Sequence, residues 1–147
     1  MFKHILVPTD GSPVAAKAAK AAMHLAAALG AKVTAYHAIE IWEPQLYAEG
    51  FGVDLKTFQA FERAAREAGE RQVGAVARLA KAAGVPCASL VAKAATPYEG
   101  IVEAAKKRKC DVIFIASHGR SGLSRLVMGS VTQKVLAHAA VPVLVFR

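Results

Sequence analysis

Cysteine is scarce in this chain of 147 residues. Its two cysteines, Cys87 and Cys110, are far apart in sequence, form no Cys-x-x-Cys pair and have no clustered histidines near them. A structural zinc site needs several such ligands at close spacing, so this class of site is excluded. We predict that both cysteines are reduced and pack as small, partly buried hydrophobic residues.

Long apolar segments are also missing. The longest apolar stretch, Ala21–Ala31, is interrupted by His24 and is shorter than the roughly 20 residues that a membrane-spanning helix needs. The apolar run Ile5-Leu6-Val7 is followed directly by Pro8-Thr9-Asp10, which is not typical of a secretory signal. We therefore expect a cytoplasmic protein with no membrane partner.

Acidic residues are fewer than basic ones, and the formal net charge is +8. Four cations stand together in Lys106-Lys107-Arg108-Lys109, at the end of a predicted helix, where they would interact favourably with the negative end of the helix dipole. No motif of interleaved aromatic and basic residues accompanies them, so we do not expect nucleic acid as a partner. RNA binding through this run stays open as an alternative.

The composition is that of a globular protein, with 54% hydrophobic and 20% charged residues. This length fits a single domain over residues 1–147. Ser12 and Pro13 are typical of a helix start, and Gly30 is typical of a helix end. Apolar periodicity predicts strands over 2–7, 32–39, 87–93, 111–116 and 141–146, and helices over 13–29, 55–83, 97–109 and 131–139. Residues 40–53, which include Trp42 and Tyr47, are predicted to form a long loop or insert.

Alternation of strands and helices predicts an α/β fold. We expect a doubly wound, five-stranded parallel sheet of Rossmann-like type, with helices on both faces. Such sheets bind ligands at the carboxyl ends of their strands, where the strand order reverses. The loops after the first, second and fourth strands are therefore expected to meet at one cleft.

One of these loops has a pattern that favours phosphate binding. Ala116-Ser117-His118-Gly119 follows the fourth predicted strand, and nine residues separate Gly119 from Gly129-Ser130-Val131-Thr132 at a helix start. Glycines let the backbone approach an anion closely, and helix N-termini carry partial positive charge. The chain has no Walker A Gly-Lys-Ser/Thr, no dinucleotide-binding glycine motif at a strand–helix turn, and no Gly-x-Ser-x-Gly nucleophile elbow.

Several motifs, taken in order, resemble those of the universal stress protein family, in its small single-domain bacterial form. They are Ile5–Ser12, Tyr36–Ala38, Ser117–Gly122, Gly129–Val131 and Val141–Val145, and the resemblance covers essentially the whole chain. It implies a fold like that of the adenine nucleotide alpha-hydrolases and a role as a homodimeric stress sensor or regulator. It also implies a bound ATP, ADP or AMP, with Mg²⁺ or Mn²⁺ accompanying ATP.

The same resemblance implies roles for individual residues. Asp10 would accept hydrogen bonds from ribose hydroxyls or help to hold a metal near the phosphates, and the backbone of Ala38 would contact the adenine edge. Gly119 and the N–H groups that follow Gly129 would cradle phosphate. The implied nucleotide-binding set is Pro8, Thr9, Asp10, Ala38, Ala116, His118, Gly119, Arg120, Gly129, Ser130, Val131 and Thr132. No catalytic residue and no direct protein ligand for a metal is predicted.

The chain departs from the family pattern at two places. Nucleotide-binding members carry Gly-x2-Gly-x9-Gly-Ser/Thr, and Ala116 stands here where the first glycine is expected. Its Cβ would approach a ligand packed at the end of the fourth strand. Ala95-Thr96-Pro97 stands where the family often has Gly-x-Pro, which would tighten the loop opposite the site.

Alternatives remain for both the residues and the whole chain. Asp10 could cap the first helix, Ser130 is an ordinary candidate for a helix N-cap, and His118 could bond only to backbone. The chain could be a protein-interaction module with a lapsed nucleotide site, with its insert aromatics facing a partner. A slow ATPase is the third interpretation, with Asp10 and His118 as its evident candidate groups.

The last predicted strand, Val141–Phe146, is almost wholly apolar. A strand of this kind at a sheet edge presents unpaired backbone groups to solvent. Pairing of two copies about a twofold axis would cover them. We therefore predict a homodimer whose interface includes Val141, Val143 and Val145.

Overall fold

A computed structural model describes residues 1–40, 54–119 and 128–147. Arg120, Trp42 and Tyr47 lie outside the described residues, as does nearly all of the predicted 40–53 insert. Within the described residues, no helix is both long enough and apolar enough to cross a membrane.

Five strands and four helices alternate along the described parts of the chain. The strands are β1 (His4–Pro8), β2 (Lys32–Glu40), β3 (Cys87–Ala94), β4 (Val112–Ala116) and β5 (Val143–Phe146). The helices are α1 (Pro13–Leu29), α2 (Leu55–Ala82), α3 (Pro97–Lys107) and α4 (Ser130–His138). Most boundaries agree with the sequence prediction within two residues. The last strand starts two residues later than predicted, after Pro142, and α3 ends two residues earlier, at a turn where Lys109 has φ 54°.

The five strands form one parallel sheet in the order β3-β2-β1-β4-β5. From β1 the chain first builds outward through β2 and β3, and it then crosses back to place β4 on the other side of β1. The predicted doubly wound parallel sheet is therefore confirmed, and its order reverses between β1 and β4. Such a reversal leaves a crevice beyond the carboxyl ends of these two neighbouring strands.

Helices cover both faces of the sheet. Successive residues of β1 point to opposite faces, so that Ile5 and Val7 pack with α1 and α2, whereas Leu6 packs with α3 and α4. Small alanines on α1 allow that helix to lie close to the strands. Both cysteines are reduced and at least half buried, as predicted.

Tyr36 forms the tightest helix–sheet contact on the α3 face. Its ring is buried, and its hydroxyl lies directly against the backbone of α3 at Gly100. Burial, reinforced by the nearby Glu103 carboxylate, raises the pKa of Tyr36 to about 12. A Cβ at Gly100 would contact this hydroxyl and would fall 2.7 Å from the Cβ of Ala94. Glycine is therefore required here because helix and sheet approach too closely for any side chain.

We predict that Gly100→Ala destabilises the protein by about 1–3 kcal/mol, since the added methyl group overpacks a filled contact. Gly74→Ala on α2 is the matched control, because the nearest atom to a Cβ there is Arg78 Nη1 at 3.7 Å. That change should stabilise by about 0.5–1 kcal/mol through the helix preference of alanine. Urea unfolding measures both variants. If both substitutions stabilised the protein, the contact of Gly100 with Tyr36 and Ala94 would have room for a methyl group.

Candidate functional site

A cavity of about 930 Å³ lies at the reversal of the strand order. The ends of β1, β2 and β4 form its floor, the start of α4 forms one wall, and one face of α2 forms another. All of the nucleotide-site residues predicted above line this cavity, except Arg120, which lies outside the described residues. The structure thus brings together three chain segments that the sequence places far apart.

The turn between β1 and α1 is held by its own polar side chains. Asp10 Oδ1 accepts a hydrogen bond from the Ser12 N–H at 2.9 Å, and the Thr9 hydroxyl accepts one from the Gly11 N–H at 3.2 Å. Ser12 is the N-cap of α1, and its Oγ accepts from the Ala15 N–H, as the sequence predicted. Asp10 is therefore not the cap: it shapes the preceding turn.

Gly119 brings the β4 loop against the Asp10 carboxylate. A Cβ built on Gly119 would lie 2.5 Å from Asp10 Oδ2, closer than two such atoms can approach. Any side chain at residue 119 would therefore have to displace the Asp10 carboxylate from this position. The contact joins the β1 and β4 halves of the cavity at one point.

The start of α4 differs from the sequence expectation. Gly129, not Ser130, is the N-cap, and no side chain provides a capping hydrogen bond. The Gly129 N–H donates to the Ser117 carbonyl at 2.7 Å, and a Cβ on Gly129 would lie 3.1 Å from His118 Cα. Ser130 begins the helix, so its hydroxyl is not used as a cap. The first N–H groups of a helix have no intrahelical acceptor, and these groups border the cavity.

Thr132 and Ala116 link α4 to β4. The Thr132 hydroxyl is buried and donates to the Ala116 carbonyl at 2.8 Å. Ala116 is itself 6% exposed and belongs to the core cluster beneath α1 and α2. The hydroxyl of Thr132 is therefore engaged within the protein, and it sets the distance between the helix start and the strand end.

One wall of the cavity comes from residues that sequence reasoning did not assign to the site. Phe58, Phe61, Ala65, Ala68 and Gln72 line it from a single stripe of α2. The apolar members of this stripe keep the helical spacing that predicts α2, and that spacing does not distinguish a core face from a cavity wall. Gln72 breaks the stripe between Ala68 and Val76, and a polar residue at such a position was the available signal.

Two polar side chains tie this wall to the β1–α1 turn. The ring of His37 on β2 is hydrogen-bonded through Nδ1 to the Thr9 carbonyl at 2.8 Å and packs against Gly69 of α2. The side-chain amide of Gln72 lies against Gly11. A Cβ built on Gly11 would be 2.9 Å from the Cδ and Nε2 atoms of Gln72. The Gln72 Oε1 atom is buried and forms no hydrogen bond with the described residues.

Charge is sparse in the cavity. Among the described residues that line it, Lys93 is the only Lys or Arg, and it is paired with Glu62 at the rim. No group of three or more His, Cys, Asp or Glu side chains that could hold a metal ion occurs in the described part of the chain. Among the described residues, the polar groups that line the cavity apart from Lys93 are therefore backbone groups together with acidic, histidine, amide and hydroxyl side chains.

The sequence and the fold both match known proteins. The model of the universal stress protein family matches residues 1–147. A universal stress protein of Thermus aquaticus is 35% identical, with 100% of both chains covered. A universal stress protein of Methanocaldococcus jannaschii is 33% identical over 100% of this chain and 83% of its own length.

Solved structures show the same architecture. A protein of Methanocaldococcus jannaschii superposes with a TM-score of 0.81 at 26% identity, covering 99% of this chain and 95% of the other. A universal stress protein in complex with cAMP has a TM-score of 0.62 at 25% identity, with 99% and 97% covered. An Arabidopsis thaliana family member with AMP bound shares the fold, with a TM-score of 0.69 at 15% identity and 98% and 90% covered.

We predict that Thr132→Val destabilises the protein by about 1 kcal/mol, because it removes the hydrogen bond to the Ala116 carbonyl while keeping the side-chain volume. Thr132→Ser retains the hydroxyl and serves as the control. Urea unfolding with an unchanged m-value would measure the difference. Equal stability of the valine variant and the wild type would show that the bond does not hold the helix start in place.

Proposed function

This chain belongs to the universal stress protein family, and we propose that it binds an adenine nucleotide in the cavity at the reversal of its strand order. The observation that carries the proposal is the convergence of Asp10, Ala38, Gly119 and Gly129 on this cavity. Family members with bound AMP and cAMP support the ligand class.

Ala38 is suited to contact the adenine edge. Strand β1 ends at Pro8, which pairs with Tyr36, whereas β2 continues to Glu40. The Tyr36 carbonyl points toward β1, since it accepts from the Thr9 N–H at 2.8 Å. Backbone groups alternate sides along a strand, so the N–H and C=O of Ala38 point the same way, beyond the end of β1. A planar base with a donor and an acceptor on one edge can pair with them.

The loops around Gly119 and Gly129 are suited to phosphate. Gly119 and Gly129 line the cavity, and because they have no side chains a ligand can reach their backbone. The first N–H groups of α4 border the same space. Backbone donors at a helix start bind anions without a lysine or arginine. Ser130, as the first helical residue, and His118 would add side-chain donors. Magnesium or manganese would enter with ATP, held by its phosphates near Asp10.

Asp10 is suited to the ribose. A carboxylate accepts hydrogen bonds and cannot donate them, so sugar hydroxyls fit it and phosphate oxygens do not. Its Oδ1 serves the turn at Ser12, and its Oδ2 faces the β4 loop at Gly119. Ala116 fits this arrangement because its methyl group packs into the core cluster beneath α1 and α2.

We predict that Asp10→Asn lowers AMP affinity about 10- to 100-fold, which corresponds to the loss of hydrogen bonds to a charged group. Asparagine preserves the side-chain size and the oxygen that accepts from Ser12. Asp54→Asn is the matched control: it removes the same charge from the exposed N-cap of α2, outside the cavity. Isothermal titration calorimetry with AMP, and with ATP plus Mg²⁺, measures both.

Chromatography of the small molecules released on denaturing the purified protein tests the ligand class independently. A co-purified adenine nucleotide would support the proposal. An empty protein that also fails to bind added AMP or ATP would contradict it, as would an equal loss of affinity in the Asp10 and Asp54 variants.

We further propose that the protein is a homodimer and that each chain forms one domain. We propose that it acts in the cytoplasm as a sensor or regulator in a stress response. Strand β5 is at the end of the sheet order and pairs with β4 on one side. The carbonyls of Pro142 and Phe146 accept hydrogen bonds from the β4 side. By strand alternation, the backbone groups of Val143 and Val145 point to the outer edge, where a second copy could pair.

We predict that Val145→Pro weakens the dimer, because proline removes an outward N–H while leaving the bonds to β4 in place. Sedimentation velocity over a wide dilution series measures the monomer–dimer equilibrium. Thermal unfolding checks that the variant is folded. A wild-type protein that is monomeric throughout, or a variant that dimerises as the wild type does, would contradict an interface at this edge.

A further inference from the structure

The end of the molecule opposite the cavity has a concentration of positive charge. Lys3 immediately precedes β1, Lys32 begins β2, and the run Lys106–Lys109 closes α3 and leads into β4. All six of these cations are exposed. We call this group the basic pole.

The fold, and not the sequence alone, assembles the basic pole. Strand β1 lies between β2 and β4, so Lys32, Lys3 and the turn before β4 follow one another across the amino edge of the sheet. The Lys32 N–H donates to the Lys3 carbonyl at 3.0 Å, and the Asp111 N–H donates to the His4 carbonyl at 3.0 Å. Neighbouring strands are about 4.8 Å apart, so the cations form a short row.

Two carboxylates lie against these cations, and both are already engaged. Glu103 pairs with Lys107 at 2.7 Å. Asp111 accepts from the backbone N–H groups of Lys3 and His4 at 2.8 and 3.2 Å. The other described carboxylates are Asp10, Glu40, Asp54, Glu62, Glu67, Glu70 and Glu99, and they belong to α2 or to the cavity end of the molecule. Among the described residues, the basic pole therefore carries more positive than negative charge.

The side chain of His4 lies close enough to cations of the basic pole to be affected by their charge. Its Nε2 is hydrogen-bonded to the Thr34 hydroxyl at 2.8 Å, and its ring is half buried. Burial lowers the pKa of His4, and the positive charges of Lys32 and Arg108 lower it further, against the opposing effect of Asp111. Cations of two chain segments thus act on one side chain.

The helix dipole accounts for only part of the basic pole. Lys106 and Lys107 occupy the last turn of α3, where cations complement the dipole. Lys3 and Lys32 stand at strand starts, and Arg108 and Lys109 follow the end of the helix. Solubility would be served equally well by dispersed charges, which repel one another less.

We propose that the basic pole binds the phosphodiester backbone of a single-stranded nucleic acid, without reading its bases. A row of several exposed cations can neutralise several successive phosphates of one strand. The aromatic residue near this pole, Phe2, is packed against the core, so no base-stacking platform accompanies the cations. Membrane binding would need an apolar face beside the charge, and Met1 is a single exposed apolar side chain there. The proposal does not depend on nucleotide binding, since the cavity is at the opposite end of the sheet.

Fluorescence anisotropy with a labelled single-stranded RNA of about 20 nucleotides tests the proposal across a series of salt concentrations. The pole variant combines Lys3→Gln, Lys32→Gln, Arg108→Gln and Lys109→Asn, asparagine being chosen because residue 109 has positive φ. The control variant combines Lys56→Gln, Arg63→Gln, Arg66→Gln and Arg71→Gln, which remove the same charge from exposed positions of α2.

We expect the pole variant to bind RNA at least about 10-fold more weakly than the wild type. The slope of log binding constant against log salt concentration should become shallower by about 0.7 for each phosphate contact removed. The control variant should stay within about twofold of the wild type, and saturating AMP should not displace the RNA. The double variant Arg108→Gln with Lys109→Asn changes only an exposed turn. We expect it to weaken RNA binding by a smaller factor than the fourfold variant does. It therefore tests the same surface if the fourfold variant fails to fold.

Three results would overturn the proposal. Equal losses in the pole and control variants would indicate general attraction by net charge. A wild type that fails to bind RNA at low salt would exclude the site. Binding to phosphatidylserine vesicles that depends on the pole, while RNA binding does not, would assign the surface to membranes.

Discussion

The contact between Gly119 and the Asp10 carboxylate is the constraint on which the candidate site depends. It exists because β1 and β4 are neighbours in the sheet although more than a hundred residues separate them in sequence. The loops that leave their carboxyl ends head toward opposite faces of the sheet, and in the described part of the chain they meet at Gly119 and Asp10. A side chain at residue 119 would have to displace the Asp10 carboxylate, which shapes the turn between β1 and α1.

Around this contact the protein uses backbone more than charge. The Ala38 backbone extends past the end of β1, the start of α4 is capped by a glycine, and Lys93 at the rim is neutralised by Glu62. Meanwhile six cations collect at the other end of the sheet. The two ends of the strands are therefore chemically different: one offers directed hydrogen bonds in a concave space, and the other offers an excess of exposed positive charge. This difference is the physical basis for assigning two separate ligands to one small fold.

Much of this could be predicted from sequence, because local chemistry determines it. Ser12 caps α1 and Gly30 ends it in the left-handed conformation, as their residue types indicate. The spacing from Gly119 to Gly129, together with the family resemblance, located the residues that line the cavity. Periodicity also gave the strands and helices, although it overextended α3, since Lys106–Lys109 continues a helical pattern through a turn.

What could not be predicted depends on packing between distant segments. The Phe58–Gln72 stripe reads as an ordinary core face, and only the placement of α2 shows that it borders the cavity. The cap at Gly129 instead of Ser130 follows from the Gly129 bond to Ser117, which sequence spacing does not reveal. Likewise, Lys3 and Lys32 join the cations of α3 only through the strand order, so the sequence indicates mainly a helix end at Lys106–Lys109, with RNA binding as an alternative.

The functional assignment depends on whether an adenine nucleotide occupies the cavity between β1, β2 and β4. Titration of ¹⁵N-labelled protein with AMP, followed by two-dimensional amide spectra, tests it most directly because each amide reports its own position. We expect saturable shifts at Asp10, Ala38, Gly119 and Ser130, and no shift at Lys32 and Lys109 at the opposite end of the sheet. Shifts that centre on the basic pole, or no saturable shift at any amide, would contradict it.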